Sequence, residues 1–380
     1  MTKAKAVLRY YPVGNADTTL IELPDGRLVL IDFADYGNPS DSEDKRIELS
    51  QALRDRLDEL DRTDIDAVAF THLDDDHTHN SSTFFWFNHA SKYQDDDRIK
   101  IKELWVPAAA VTEEGSEGDA RVIRQEARHR LVKGKGIRVF SRPERLKDFL
   151  KENDLSIEDR SSLITDAGTT IPGYSVDGPE CCEFFVHSPF AWRLDENTVE
   201  DRNGDLFAFQ LRFLIEGTET RALFFSDSDH ETLSEIVQIT RYHKRESRLQ
   251  WDIAKSPHHC SYLSLSDEKG TDKTKPVDDV AWLWEEQGQN GATIISSCKP
   301  IPEKGTKGDK DVQPPHRQAA NYYRGVADKL DGEGMVVTME HPTQSSPKPI
   351  HFEIGSSGLT LLKAVARGAA AIVSTPARAG

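Results

Sequence analysis

Cysteine and methionine are scarce in this chain, four and three in 380 residues, and basic residues are in deficit. Cys181, Cys182, Cys260 and Cys298 have neither metal-knuckle spacing nor the density of a disulfide framework, so they read as reduced thiols. No apolar run approaches the roughly 20 residues that cross a bilayer as a helix. The start, Met1 to Tyr11, enters a strand-like pattern with no apolar signal core, and a cytoplasmic location is expected. Against 65 Asp and Glu stand 48 Lys and Arg, a formal charge of −17. That balance excludes broad electrostatic binding to free duplex DNA or to an anionic membrane, because both need basic surface that releases counterions. It does not exclude a small anionic or phosphoester substrate, or one presented by a partner protein, because a local concentration of positive charge can hold a single anion inside an acidic protein.

What is present describes a globular chain. Hydrophobic residues at 37% and charged residues at 30% can build a large core, and the length suits two or three domains or one large α/β sandwich. Residues 6–12 and 18–23 read as strands, Pro24-Asp25-Gly26 as a turn, and Leu28 to Phe33 as a third strand. Ser42, Glu43 and Asp44 suggest a helix start, with a 3.6-residue period running to about residue 61. Strands are expected at 66–71, 99–107, 137–140, 183–186, 206–213, 221–225, 251–254, 293–296, 335–340 and 350–354, and helices at about 112–132, 230–241, 278–287 and 316–330. Glu216-Gly217-Thr218 suits a hairpin. Residues 301–313 read as a loop, the stretch from 365 as a flexible tail, and residues 1–364 as a single domain with insertions near 78–98 and 141–178.

One segment concentrates ligand chemistry. Thr71-His72-Leu73-Asp74-Asp75-Asp76-His77-Thr78 directly follows a short apolar strand, which places three carboxylates and two imidazoles where loops converge. A solvated acidic loop explains the aspartates but not the bracketing histidines, and mixed N/O donors suit zinc and similar ions. Three later segments also set polar donors just past apolar strands: Ser226-Asp227-Ser228-Asp229-His230, Pro257-His258-His259-Cys260-Ser261, and His187-Ser188-Pro189 with Asp201-Arg202-Asn203.

In this order the motifs resemble the metallo-β-lactamase fold superfamily, whose signature is HxHxDH, then a lone carboxylate after a strand, then a terminal histidine. They are most similar to the branch containing the hydrolase domain of bacterial competence (DNA-uptake) proteins. That branch has a GxGD turn, here Val13-Gly14-Asn15-Ala16-Asp17, a strand ending in Asp, here Leu30-Ile31-Asp32, a GD after a strand, here Ser226-Asp227, and a PHHGS element, here Pro257 to Ser261. The resemblance covers about residues 7–300. It implies an α/β fold, an αββα four-layer sandwich of two mixed sheets with outer helices. It also implies two Zn²⁺ ions per chain, about 3.5–4 Å apart. His72 and Asp74 would hold one ion, Asp76 and His77 the other, Asp227 would bridge them, and His258 or His259 would complete the second site. Asp76, Asp227 and His258 would carry the chemistry, and Asp32 would orient a ligand imidazole or the backbone of the metal loop.

Two departures bear on the chemistry. Asp74 stands where the family has histidine, which hardens the first site and admits manganese or iron beside zinc. The third-segment histidine has no counterpart, and Asn203 takes about that place as a weak ligand. Cys260 replaces the PHHGS glycine and reads as a small buried filler in preference to a thiolate ligand. Structural readings are preferred for His187, for His79 and His89, for solvated Asp75, and for the aromatic run at Phe84 to Phe87. Asp229 and His230 are equally suited to capping a helix. The expected activity is hydrolysis by a metal-bound hydroxide, on a phosphodiester or nucleotide-like substrate as in a phosphodiesterase or nuclease. The rivals are a metal-site scaffold with little catalysis and a thioester or amide hydrolase in a protein-modifier pathway.

Overall fold

Alternating and continuous apolar runs assemble into two facing sheets. The computed structural model describes residues 4–190, 192–193, 199–200 and 205–362. The first strands are β1 (Ala6–Tyr10), β2 (Thr19–Glu22), β3 (Leu28–Ile31), β4 (Asp64–Ala69), β5 (Phe85–Trp86), β6 (Ile99–Pro107), β7 (Ile137–Phe140) and β8 (Ile164–Thr165). After them come β9 (Cys182–Ser188), the short ribbon β10 (Trp192–Arg193) and β11 (Val199–Glu200), β12 (Ala208–Ile215) and β13 (Thr218–Phe224). The last are β14 (Trp251–Lys255), β15 (Gly288–Ser296), β16 (Met335–Val337), β17 (Ile350–Gly355) and β18 (Gly358–Leu362). One sheet runs β18-β17-β1-β2-β3-β4-β6-β7-β8 with β5 beside β6, and the other β16-β15-β14-β13-β12-β9.

Ten helices flank them: α1 (Leu49–Glu59), α2 (Asp75–Thr78), α3 (Ser81–Phe84), α4 (Ala109–Thr112), α5 (Gly118–Lys133), α6 (Glu144–Glu152), α7 (Ile157–Arg160), α8 (His230–Tyr242), α9 (Asp278–Glu286) and α10 (Arg317–Ala327), counted among the described residues. Three buried clusters define the layers. Leu53, Leu57, Ile123, Leu131 and Leu150 of α1, α5 and α6 pack on the outer face of the first sheet. Leu8, Val29, Ala67 and Trp105 meet Phe184, Phe209, Phe224 and Ile253 between the sheets. Ile236, Trp284 and Tyr323 of α8, α9 and α10 cover the outer face of the second. The result is an αββα sandwich, the four-layer arrangement that the sequence implies. No helix among the described residues is long and apolar enough to cross a membrane.

Each sheet changes from antiparallel to parallel partway across. Strands β3-β4-β6-β7-β8 are parallel to one another, as are β13-β14-β15-β16, while β1-β2-β3 and β9-β12-β13 are antiparallel. Open α/β sheets bind ligands beyond the carboxyl ends of their parallel strands at such switch points. The exits of β3, β4, β13, β14 and β15 converge there.

Some boundaries differ from those expected. The first helix starts at Leu49, not near Ser42, because Asp41 and Asp44 capture the Glu43 and Arg46 amides in local turns. Its N-terminus is capped from a distance by Asp35, which accepts from Leu49 and Ser50 N–H. The helix expected at 112–132 is two helices, α4 and α5, separated at Gly115, whose φ is +82°. Phe84, Phe85 and Phe87 are core residues of the first sheet's outer cluster. Residues 141–178 carry α6, α7 and β8. The tail expected from 365 lies outside the described residues.

Candidate metal centre

The loop after β4 is held from three sides. Asp32, just past β3, accepts from Thr71 N at 2.7 Å and Thr71 Oγ1 at 2.8 Å. Backbone bonds run from Asp17 N to the Asp76 carbonyl, from Phe33 N to that of His77 and from Asp35 N to that of His79. From the opposite sheet, Phe207 N donates to the Thr71 carbonyl and Ser226 Oγ donates to Thr71 Oγ1 at 2.8 Å. The short helix α2 is thereby fixed with Asp76 and His77 facing inward, while Asp75 stays in solvent beside Tyr36 and His79.

Two imidazoles are oriented by the partner of their other nitrogen. His77, fully buried, presents Nδ1 to Asp32 Oδ2 at 2.8 Å, which leaves Nε2 facing Asp227 Oδ1 at 3.2 Å and Asp17 Oδ2 at 3.9 Å. His259 presents Nδ1 to the Ser297 carbonyl at 2.8 Å, and its Nε2 lies 3.0 Å from Asp76 Oδ2 and 3.6 Å from Asp227 Oδ2. A carbonyl can only accept, so His259 Nδ1 carries a proton, and Nε2, which faces the carboxylates of Asp76 and Asp227, would become a metal donor on giving up the proton it shares with Asp76. His259 reaches this position through a left-handed run over His258, His259 and Cys260, with φ of 46°, 50° and 68°. Such conformations cost about 1–3 kcal/mol per non-glycine residue and collect at functional sites.

Side-chain donors of Asp17, His77, Asp227 and His259 lie within 4.8 Å of one another, and His72, Asp76 and His77 form a second such group. Asp17 Oδ1, His72 Nε2, His77 Nε2 and Asp227 Oδ1 are buried without a well-aligned hydrogen bond. Burial opposes charge on His77, His259, Asp227 and Asp17, yet their mutual charges overcome it. The carboxylates of Asp32 and Asp227 hold His77 well above the usual histidine pKa, and Asp227 and Asp76 raise His259. His259 and His77 in turn hold Asp227 well below the carboxylate range, and Lys255 followed by His259 lowers Asp17. Carboxylates that stay ionised at a buried point and hold two inward-facing imidazoles protonated fit a divalent cation, which would displace those protons and accept imidazole and carboxylate together.

Of the residues singled out in the sequence, His72, Asp76, His77, Asp227 and His259 come together. Asp74 does not enter either group: it is 80% exposed, with Oδ2 3.6 Å from His72 Nε2. His258 is 35% exposed, its Nε2 3.9 Å from Asp227 Oδ2, and it lines the cleft outside the cluster. Asn203 lies outside the described residues. Cys260 is a buried thiol whose pKa burial pushes up, and it joins neither group. His187 bonds the Arg248 carbonyl, with burial lowering its pKa to about 4; Asp229 caps α8 by accepting from Thr232 N. Two buried residues were missed as candidates, Asp17 and Lys255, which form an ion pair inside the cluster. Asp17 ends a glycine turn between two strands, and Lys255 is a cation at the end of an apolar strand; both patterns were visible.

A cleft of about 1140 Å³ opens onto the centre through His72, Asp74, Asp227 and His258. Arg128 and Arg145 stand on its outer wall among Glu113, Glu114, Asp148 and Glu152.

No protein-family model matches the chain, and no curated protein matches its sequence. Among solved structures it is similar to a diphosphatase from the PhnP family, at 12% identity and a TM-score of 0.32, covering 92% of this chain and 98% of that one. It is also similar to the metallo-β-lactamase MIM-1 from Novosphingobium pentaromativorans, at 12% identity and a TM-score of 0.29, covering 66% and 76%. BJP-1, a subclass B3 metallo-β-lactamase of Bradyrhizobium japonicum, is 13% identical with a TM-score of 0.28, covering 72% and 89%. At such distances the chemistry must be read from the centre's own residues.

Proposed function

We propose that the chain is a metal-dependent hydrolase of the metallo-β-lactamase fold superfamily, acting on a phosphodiester or nucleotide-like substrate. The observation that carries this reading is the convergence of His77, His259, Asp227 and Asp76, with two ring nitrogens anchored by Asp32 and Ser297 so that both Nε2 atoms aim at one buried point. His72 and Asp227 border the cleft and would hold an ion on its substrate side. Bound zinc, or manganese or iron, would acidify a water and offset negative charge growing on the attacked centre.

The chain's own groups then set what can bind. Asp227, of the inner donor group, also borders the cleft and would hold the inner ion at its substrate side, while His77 is the residue the two groups share. His258 faces the cleft beside Asp227 and is placed to contact a substrate oxygen. The carboxylates of the outer wall repel a long polyanion, which favours a compact substrate with one phosphoryl group at the centre over duplex DNA.

Elemental analysis of purified protein, with turnover of an aryl phosphodiester in added Zn²⁺ or Mn²⁺, tests the reading. Bound metal and turnover that disappear together in Asp227→Ala support it. One tightly held ion with no turnover of phosphodiester, thioester or amide substrates would replace it with the scaffold reading.

A further inference from the structure

We propose that Lys255 holds Asp17 out of the inner ion's coordination shell, preserving an exchangeable position that Asp17 would otherwise close; this rests on the metal-centre reading above.

The donor set is larger than a catalytic ion can use. Asp17, His77, Asp227 and His259 already offer four donor groups within 4.8 Å, and Asp76, of the second group, lies 3.0 Å from His259. Four protein donors close a tetrahedral site and make it structural, whereas catalytic sites leave a place for water. Asp17 cannot simply withdraw. Its amide is tied to the Asp76 carbonyl, its side chain is 3% exposed, and its Oδ2 sits 3.9 Å from His77 Nε2, so the carboxylate stays within reach of the ion. What separates it from the other donors is its partner. Asp17 Oδ2 is paired with the ammonium of Lys255, the last residue of β14, whose side chain is only 7% exposed. An ammonium has no lone pair to offer a metal, and once buried it needs a counter-charge. Lys255 therefore engages Asp17 without becoming a ligand, and acts as a positioning residue. Its place on a core strand, in register with Ile295 of β15, keeps it from swinging into solvent.

The test compares wild type with Lys255→Met, which keeps the stem and removes the charge. Zn²⁺ affinity is measured by chelator competition, and water on bound Mn²⁺ by proton relaxivity. With Asp17 released to ligate, Lys255→Met binds Zn²⁺ at least about tenfold more tightly and lowers the relaxivity of bound Mn²⁺. Adding Asp17→Asn reverses both changes. Unchanged or weaker Zn²⁺ binding with unchanged relaxivity overturns the proposal while leaving the metal centre standing. Failure of wild type to take up any divalent ion overturns both. Should Lys255→Met not fold, Asp17→Asn alone decides. A Zn²⁺ affinity within about threefold of wild type, with relaxivity intact, supports a non-ligand Asp17; a loss of about 100-fold shows that Asp17 ligates and overturns the idea.

Discussion

The molecule buries two histidine–carboxylate clusters, and they are finished differently. Beneath α5, Glu126 is fully buried, yet both of its oxygens are used: Oε1 accepts from Asn88 Nδ2 at 2.9 Å and Arg130 Nε at 2.6 Å, and Oε2 from His89 N at 2.9 Å, with His89 Nδ1 at 3.0 Å. At the strand exits, fully buried His77 and Asp227, whose side chain is 11% exposed, leave Nε2 and Oδ1 without a well-aligned hydrogen bond. Buried polar groups in folded proteins find partners almost without exception. In the first cluster Glu126 is satisfied at both oxygens and only Arg130 Nη2 is left over; in the second, several donor atoms converge within 4.8 Å, the arrangement an ion would use. Both hold histidine and carboxylate, but Arg130 and Asn88 complete the first, while the second gathers several aspartates and histidines at one point.

Metal should act on one cluster and not the other. The largest contrast is expected from Asp227→Ala, which reduces bound Zn²⁺ to background in elemental analysis, while Glu126→Ala leaves the metal content of the folded protein unchanged. Saturating Zn²⁺ should stabilise wild type against urea by about 4 kcal/mol at a thousandfold excess over Kd, and a chelator should remove that gain. The gain should be absent in Asp227→Ala and intact in Glu126→Gln. Glu126→Gln itself should cost about 3 kcal/mol, because burial raises the carboxyl pKa but His89 and Arg130 outweigh it and bring it down to about 2. Since that value lies below the unfolded one, the contribution is complete above about pH 4.5 and is lost as the pH falls toward 2. Urea titrations across that range should show the wild type losing the advantage over Glu126→Gln. The smallest effect is expected from Asp32→Asn, which leaves every ligand in place but loosens His77: Zn²⁺ affinity should fall about 10- to 100-fold, and an unchanged affinity would remove Asp32 from the centre.

Much of this arrangement is legible in the residues. The strands at 99–107 and 137–140 match the structure to the residue: Ile99 and Ile101 alternate with Lys100 and Lys102, a period of two that only a strand satisfies, and β-branched Ile137 and Val139 repeat it. The metal loop was legible because histidines bracketing aspartates directly after a buried strand have little structural use. Asp32 was expected to hold a ligand imidazole or the loop backbone, and it holds both. The helix start near Ser42 misled, because Asp41 and Asp44 use their side chains on local turns and the cap comes from Asp35 across a loop. The choice between His258 and His259 depends on the left-handed turn that carries them, and adjacent identical residues contain no clue to it. Asp17 reads in the sequence as the end of a turn, with no role for its side chain. A turn motif describes backbone, and only the fold shows that the side chain lands beside Lys255.

The donors of the inner group come from residues 17, 77, 227 and 259, on both sheets. No stretch of chain emerging from the ribosome can assemble that set until the first hairpin, the loop after β4 and the middle strands of the second sheet have all docked. Contacts of such sequence separation form late and slowly. On the proposed reading, ion uptake would mark the end of folding: a half-made chain would have nothing with which to compete for divalent ions, and an acquired ion would report that both halves of the sandwich have closed.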